Sequence, residues 1–270
     1  MPELPEVETT RRGLVPRVVG HTIRDVVIRD RRLRWPVPRD LEAQLRGCRI
    51  AAIRRRGKYL LFDCGGGCLL AHLGMSGSLT VVPAGDAPRP HDHADIVLDS
   101  GEAVRFNDPR RFGALLWTPA PESHPLLAGL GIEPFDASFG GEALHRLAQG
   151  RRVPVKQFLM DARVVAGIGN IYANEALFAA RIHPERAAGR ISPARLERLA
   201  REIRVTLQRA LAAGGSTLRD FVGSDGNPGH FQLQYAVYGR EGLPCPACGH
   251  PIRAARHAGR ATYYCPRCQR

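Results

Sequence analysis

The stretch CPACGHPIRAARHAGRATYYCPRC, residues 245–268, carries the strongest local indication of structure in the chain. Its cysteines follow the spacing C-x2-C-x16-C-x2-C, which lies within the range for a structural site of four thiolates around one zinc ion. Two disulfides are the alternative, but disulfides are rare in the cytoplasm, where we expect this protein to be. We therefore predict that Cys245, Cys248, Cys265 and Cys268 bind one zinc ion at the base of a β-hairpin.

The composition indicates a polyanionic partner. The chain has 270 residues, 39 Lys and Arg against 26 Asp and Glu, and a formal net charge of +13. Arginine suits planar, bidentate contacts with phosphate, and a solvated charged face is the alternative interpretation of such runs. The runs recur beside Gly, Trp or Phe, which favours nucleic-acid binding; they lie at 29–35, 54–58, 108–113, 150–152 and 255–261.

Membrane insertion and secretion are not indicated. The chain has no apolar run long enough for a bilayer, and its first residues are acidic instead of basic and then hydrophobic. We expect a cytoplasmic protein, which nucleic-acid binding would associate with the nucleoid.

The order of patterns along the chain predicts an α+β, multidomain fold. Runs of β-branched and aromatic residues separated by turn residues extend from Thr22 to Thr118, and "LDSGEAV" is typical of a hairpin. A Pro- and Gly-rich connection with one short helical stretch follows. Apolar residues at helical spacing come next, including a helix with Ser192 as N-cap, Pro193 in first position and Gly214 as stop. The predicted parts are an N-terminal β domain at 1–130, a linker at 131–150, a helical domain with a loop at 151–235, and a zinc finger at 236–270.

The first nine residues, MPELPEVET, allow two interpretations. Proline at a first helical position and acids in the first turn are typical of any helix start. The second interpretation is that the proline and the acids carry out chemistry, and only the rest of the chain can favour it.

Six motifs together resemble the bacterial formamidopyrimidine-DNA glycosylases, in order and along essentially the whole chain. They are MPELPEVET, RRGKYL, HLGMSG, NDPRRFG, VAGIGNIYANEALF and GRATYYCPRCQ. The resemblance implies a bifunctional DNA glycosylase and abasic-site lyase of base excision repair, which removes oxidised purines such as 8-oxoguanine and formamidopyrimidines opposite cytosine. It also implies an N-terminal β-sandwich with flanking helices, a helix-two-turn-helix domain and a β-hairpin zinc finger, in a monomer acting on double-stranded DNA that contains oxidised bases or abasic sites.

Given the resemblance, the start of the chain acquires a chemical role. Removal of Met1 would leave Pro2 as a free secondary amine, and α-amines have pKa values near 8, about two units below lysine, so that Pro2 could form a Schiff base with the sugar. Glu3 is the candidate general acid and base, and Glu6 the residue that orients the site. The resemblance adds Lys58 and Arg260 as catalytic residues that contact phosphates.

Further DNA contacts follow from the same motifs. A flipped base leaves a gap that must be filled, and Met75, Arg110 and Phe112 resemble the family's filling residues. A core methionine and surface polar residues are the alternatives. The remaining candidates for DNA binding are His72, His91, Arg151, Lys156 and Asn170. Arg219, Asn227 and Ala162 depart from the relatives' pattern, which weakens any expectation about base preference.

Two rival functions stay open at this point. An endonuclease VIII-like enzyme for oxidised pyrimidines would share Pro2, Glu3, Lys58 and the zinc site, whereas PELPEVET and the three filling residues favour the purine enzyme. A non-enzymatic zinc-finger DNA-binding protein would have no use for Pro2 and Glu3.

Overall fold

The computed structural model describes residues 2–216, 223–224, 229–257 and 259–270. The chain forms two compact units: one of Met1–Gly129 with Leu211–His230, and one of Leu130–Ala210 with Phe231–Arg270. Arg219 and Asn227 lie outside the described residues, as does most of the predicted glycine-rich loop. No helix within the described ranges is both long and apolar enough to cross a bilayer.

The first unit is a sandwich of two four-stranded antiparallel sheets. One sheet has the order β1-β6-β7-β5 and the other β2-β3-β4-β8. Its elements are α1 (Leu4–Val18), β1 (Ile23–Ile28), α2 (Leu41–Leu45), β2 (Ala52–Arg56), β3 (Tyr59–Asp63), β4 (Cys68–His72), β5 (Ser78–Pro83), β6 (Asp92–Leu98), β7 (Glu102–Asn107), β8 (Ala114–Thr118) and α3 (Pro125–Ala128).

Apolar residues from both sheets and from α1 form one core. Phe62 and Phe106 come from opposite sheets, and Leu14 from α1 joins the same buried cluster. Burying such side chains is the main favourable contribution to folding, at about 25 cal/mol for each Å² of apolar surface. The predicted β-sandwich with flanking helices is therefore confirmed.

The second unit is helical and ends in a two-stranded hairpin. Its elements are α4 (Gly141–Ala148), α5 (Val155–Met160), α6 (Asn170–Ala179), α7 (Pro193–Ala212), β9 (Arg253–His257) and β10 (Arg260–Tyr264). Helix α7 begins at Pro193, and Gly214 just beyond its end has φ of +72°, a left-handed conformation that favours glycine. Both helix signals were predicted. Buried Leu196, Leu199 and Ile203 form the apolar stripe of α7.

Candidate active site and nucleic-acid interface

Three of the predicted catalytic residues lie at the start of α1: Pro2 and Glu3 precede the helix, and Glu6 lies in its first turn. Pro2 is buried and Glu3 is only 2% exposed. The Glu3 N–H donates to Glu6 Oε2 at 2.8 Å, and the Ser216 N–H donates to Glu6 Oε1, also at 2.8 Å. Because both carboxylate oxygens accept main-chain donors, Glu6 fixes the backbone of the residue next to Pro2.

Glu8, the other acid of the opening motif, belongs to the fold. It pairs with Arg11, Arg12 and Arg55 at 2.8, 3.0 and 3.2 Å. Burial alone would raise the pKa of the Glu8 carboxyl, but hydrogen bonds from Arg11 and Arg12 outweigh burial and hold the pKa below its usual value. Glu8 therefore stays ionised and anchors α1 to β2.

Lys58 lies at the tip of the β2–β3 hairpin. Arg56 pairs with Tyr59, so Gly57 and Lys58 form a two-residue loop. Such a loop needs a positive φ, and Gly57 supplies it with φ of +56°. The turn sequence RRGKYL thus places the lysine at the end of a rigid hairpin.

His72 lies beside this hairpin and is neutral. Its ring is 4.7 Å from the Tyr59 ring, and its Nδ1 accepts the Gly74 N–H at 3.0 Å. Burial lowers the pKa of His72 to about 4, with Lys58 and Arg34 adding to the effect. Because Nδ1 is an acceptor, the ring proton sits on Nε2, where it is a hydrogen-bond donor.

Arg34 is a cation of this group that the sequence analysis did not single out. Its guanidinium lies 4.9 Å from the centre of the Trp35 ring, and its charge acts on both His72 and Tyr59. The only sequence signal was an arginine beside tryptophan within the 29–35 run.

Met75, Arg110 and Phe112 lie on two turns that meet. Met75 is 37% and Phe112 40% exposed, so both turns present apolar side chains to solvent. The Arg110 guanidinium lies 5.0 Å from the centre of the Phe112 ring. A Cβ on Gly74 would come within 2.3 Å of the Phe112 main chain, so only glycine allows this approach. Met75 is not a core residue.

A buried aspartate locks the two turns together. Asp108 Oδ1 accepts the Ser76 hydroxyl at 2.6 Å, and Oδ2 accepts the Gly113 N–H at 2.8 Å. The Ser76 oxygen in turn accepts the Arg110 N–H at 3.1 Å. Ser76 and Asp108 therefore position the exposed side chains, although neither was a sequence candidate.

Two of the remaining candidates lie on exposed turns. His91 is exposed with φ of +71°, and its carbonyl accepts the Asp108 N–H at 3.1 Å. Arg151 is exposed after α4.

The last three candidate residues lie, like Arg151, in the second unit. Asn170 begins α6, and its buried Oδ1 has no hydrogen-bond partner within the described residues. Arg260 begins β10 and lines a cavity of about 230 Å³. Lys156 is only 5% exposed, and its Nζ donates to the Ala261 carbonyl and to Thr262 Oγ1 at 2.7 and 2.8 Å.

The four predicted zinc ligands come together. Their sulfurs lie within 4.8 Å of one another; Cys245 and Cys268 are 3.9 Å apart, and Cys248 and Cys265 3.5 Å. A tetrahedral zinc ion with bonds of about 2.3 Å separates its sulfurs by about 3.8 Å, so the four thiolates fit zinc. Arg253, Arg256 and Arg260 lie on the intervening hairpin.

Family models match most of the chain. Residues 1–115 match the formamidopyrimidine-DNA glycosylase N-terminal domain, residues 130–222 the formamidopyrimidine-DNA glycosylase H2TH domain, and residues 242–270 the zinc finger found in FPG and IleRS. With the cysteine cluster, the last match confirms one structural zinc ion.

Curated proteins and solved structures agree over the full length. Formamidopyrimidine-DNA glycosylases of Methylococcus capsulatus and Stutzerimonas stutzeri are 59% and 56% identical, each with 100% of both chains covered. The MutM (Fpg) protein of Thermus thermophilus has a TM-score of 0.88 at 47% identity, covering 99% of this chain and 98% of its own. A Lactococcus lactis Fpg mutant in complex with Fapy-dG-containing DNA has a TM-score of 0.92 at 32% identity, with both chains fully covered. The family models and these relatives agree with the sequence motifs, the sandwich, the helical unit and the zinc hairpin described above. The chain therefore belongs to the formamidopyrimidine-DNA glycosylase family.

Proposed function

We propose that the chain removes oxidised purines from double-stranded DNA and cuts the strand at the resulting abasic site, as a bifunctional enzyme of base excision repair. The observation that carries this proposal is the N-terminal turn, where Glu6 anchors the backbone of Glu3 beside Pro2. The names of the full-length relatives support the substrate class, and the net charge of +13 suits a polyanion. Its place of action is then the cytoplasm, at the nucleoid.

Pro2 supplies the nucleophile once Met1 is removed. A free α-amine has a pKa near 8, so a useful fraction carries an available electron pair at neutral pH. Attack of this electron pair on the sugar C1′ forms a C–N bond as the glycosidic bond breaks. The base leaves with the electron pair of the glycosidic bond and takes up a proton. The nitrogen electron pair then forms a C=N bond as the C1′–O4′ bond breaks and O4′ takes up a proton. The positive charge of the resulting iminium acidifies the C2′ proton. Removal of that proton expels the 3′ phosphate, and a second elimination expels the 5′ phosphate.

Glu3 moves the protons and Glu6 holds the site. Glu3 adjoins the nucleophile and is almost fully buried, so it is placed to act as general acid and base. Lys58 and Arg260 hold the phosphates on either side of the lesion and assist the eliminations. The zinc ion fixes the hairpin that bears Arg260 and takes no part in the chemistry.

The other candidates hold the distorted duplex. Neutral His72 donates from Nε2 to a phosphate, and His91, Arg151 and Asn170 make further backbone contacts. Met75, Arg110 and Phe112 fill the gap that the flipped base leaves, because exposed apolar side chains on rigid turns unstack base steps. The Lys156 ammonium is engaged within the hairpin, so we propose that it supports the hairpin instead of contacting phosphate directly.

Reduction with borohydride on lesion-containing DNA tests the mechanism, because only an imine is trapped covalently. We expect the chain without Met1 to be trapped at its N-terminus, and Pro2→Gly, which keeps an α-amine, to be trapped more weakly. Lys58→Met should still be trapped, whereas an acetylated N-terminus or retained Met1 should abolish trapping. Efficient trapping of the acetylated form would show that a lysine is the nucleophile and would overturn the assignment of Pro2. Faster excision of oxidised pyrimidines than of 8-oxoguanine would overturn the substrate class.

A further inference from the structure

The hairpin that bears Arg260 has one strand edge bound by side chains of the helical unit. Among the strands of the described residues, β10 pairs only with β9. In an antiparallel pair, alternate residues direct their main-chain groups away from the partner strand, so residues two apart share the outer edge. Ala261 and Tyr263 are such residues. A two-stranded hairpin is marginally stable on its own, so contacts on the outer edge help to set where the hairpin lies, together with the cysteine cluster at its base.

Lys156 of α5 binds this edge immediately after Arg260. Its Nζ donates to the Ala261 carbonyl at 2.7 Å and to Thr262 Oγ1 at 2.8 Å. Thr262 is fully buried. A buried ammonium loses much of its hydration, so these hydrogen bonds are costly to break. They fix the two residues that follow Arg260 in sequence.

Asn174 of α6 binds the next position of the same edge. Its Oδ1 accepts the Tyr263 N–H at 2.8 Å, and its Nδ2 donates to the Asn170 carbonyl at 2.6 Å. Asn174 is 1% exposed, so its amide is held in one orientation. A single side chain thus joins the start of α6, at Asn170, to the strand of Arg260.

The other strand is held at the same end of the hairpin. Arg260 pairs with His257, and His257 Nε2 lies 2.7 Å from Glu185 Oε1. Arg260 itself remains exposed. Residues of both strands near Arg260 therefore lie close to side chains of the helical unit, while Arg260 itself is exposed.

We propose that Lys156 and Asn174 are positioning residues for Arg260, which set the direction from which its guanidinium meets the DNA backbone. This inference rests on the proposed phosphate contact of Arg260. It gives Lys156 a different role from a phosphate contact and adds Asn174, an uncharged and buried residue, to the groups on which lesion binding depends. Without the contacts of Lys156 and Asn174, the end of the hairpin is no longer held in one position. Arg260 then loses the fixed orientation that a strong charge-assisted contact with a phosphate requires.

The test measures affinity for a duplex with a stable abasic-site analogue over a range of salt concentrations. We expect Lys156→Met and Asn174→Ala each to weaken binding about ten-fold, the value of one charge-assisted hydrogen bond. Each should also lower the salt slope by about 0.9, the effect of one lost phosphate contact. Arg201→Ala is the matched control for loss of one charge, since Arg201 is exposed on α7 and should change affinity little. Zinc content should stay at one per chain in every variant.

A double-mutant cycle separates positioning from a direct contact. In an Arg260→Ala background, Lys156→Met and Asn174→Ala should weaken binding no further. Additive losses would overturn the proposal, because Lys156 would then contact phosphate itself or both residues would serve the fold alone. If Lys156→Met does not fold, Thr262→Val removes one of its two acceptors at constant shape and should show the same non-additivity in weaker form.

The Arg260→Ala variant alone distinguishes failure of the underlying function. If it binds DNA normally, the proposed phosphate contact is wrong, and the positioning role is wrong with it. If it binds weakly while Lys156→Met and Asn174→Ala bind normally, only the positioning role is overturned.

Discussion

The carboxylate of Glu6 accepts the Ser216 N–H at 2.8 Å, across 210 residues of sequence. The same carboxylate accepts the Glu3 N–H. One buried side chain therefore joins the proposed nucleophile turn to the segment that follows α7. Gly215, with φ of +82°, lets this segment approach, because a Cβ there would lie 3.2 Å from Glu6 Cγ. The position of Pro2 is thus a tertiary property, set by a contact that helix α1 cannot provide alone.

Replacing Glu6 with Gln should loosen this junction. An amide has one accepting oxygen, so one of the two N–H donors would face an NH2 group and stay unsatisfied. We expect a loss of about 1–3 kcal/mol in the free energy of unfolding and slower borohydride trapping, with little change in DNA affinity. Thermal unfolding and single-turnover trapping measure these effects. Glu102→Gln, which breaks a surface pair with Arg17, is the control and should cost less than about 1 kcal/mol. Equal effects of the two variants would show that Glu6 has no special role.

Removing one zinc ligand should abolish DNA binding by the hairpin. Cys248→Ser leaves three thiolates, so we expect loss of the metal and of DNA binding together, while the β-sandwich stays folded on its own core. Metal analysis, lesion-DNA affinity and calorimetry report the three quantities. Cys48→Ser is the matched control, because Cys48 lies outside the cluster, at the edge of the sandwich core, where its thiol donates to the Gln44 carbonyl. Retention of tight DNA binding without zinc would contradict the role assigned to the finger.

His72 should make the protein less stable in mild acid. Its pKa is about 4 in the folded chain and about 6.5 when unfolded. Below pH 6.5 the unfolded chain takes up the proton first, so stability is full above that pH and is lost as the pH falls toward 4. The free energy of unfolding should fall by at most about 1.4 kcal/mol per pH unit. Unfolding of wild type and His72→Gln from pH 7 to 4.5 should therefore diverge, whereas parallel curves would mean that folding does not change the pKa of His72.

The features predictable from sequence are those that depend on local chemistry. The zinc site needs a fixed cysteine spacing, and helix α7 needs Ser192, Pro193 and Gly214 around an apolar stripe. The exposure of Met75 followed from its position between glycines on a turn. In each case a few neighbouring residues determine the outcome.

The features that sequence did not reveal depend on residues that meet only in the fold. Asp108 and Ser76 lie 32 residues apart and together fix the turns of Met75 and Arg110. Lys156 looked like one more surface cation, because nothing around it in sequence shows that strand β10 packs over its ammonium 105 residues later. Buried polar pairs of this kind have no periodicity, and the family motifs alone suggested a DNA contact for Lys156.

Arg110 should set the preference for the base opposite the lesion. Its guanidinium lies beside the Phe112 ring, and its main-chain N–H donates to the Ser76 hydroxyl oxygen. The guanidinium donors are therefore presented from a turn whose backbone is held in place. Cytosine left without its partner offers two adjacent acceptors, N3 and O2, to two parallel donors, whereas adenine offers one acceptor beside an amino group. A good bidentate contact discriminates by about 1–3 kcal/mol. Arg110→Ala should therefore reduce the ratio of excision opposite cytosine to excision opposite adenine about ten-fold or more, with trapping at a pre-formed abasic site much less affected. Arg111→Ala, which removes a neighbouring cation paired with Asp30, is the control and should leave the ratio unchanged. An unchanged ratio in Arg110→Ala would instead make Arg110 a backbone contact and would favour a pyrimidine-directed enzyme, for which no such preference for cytosine is needed.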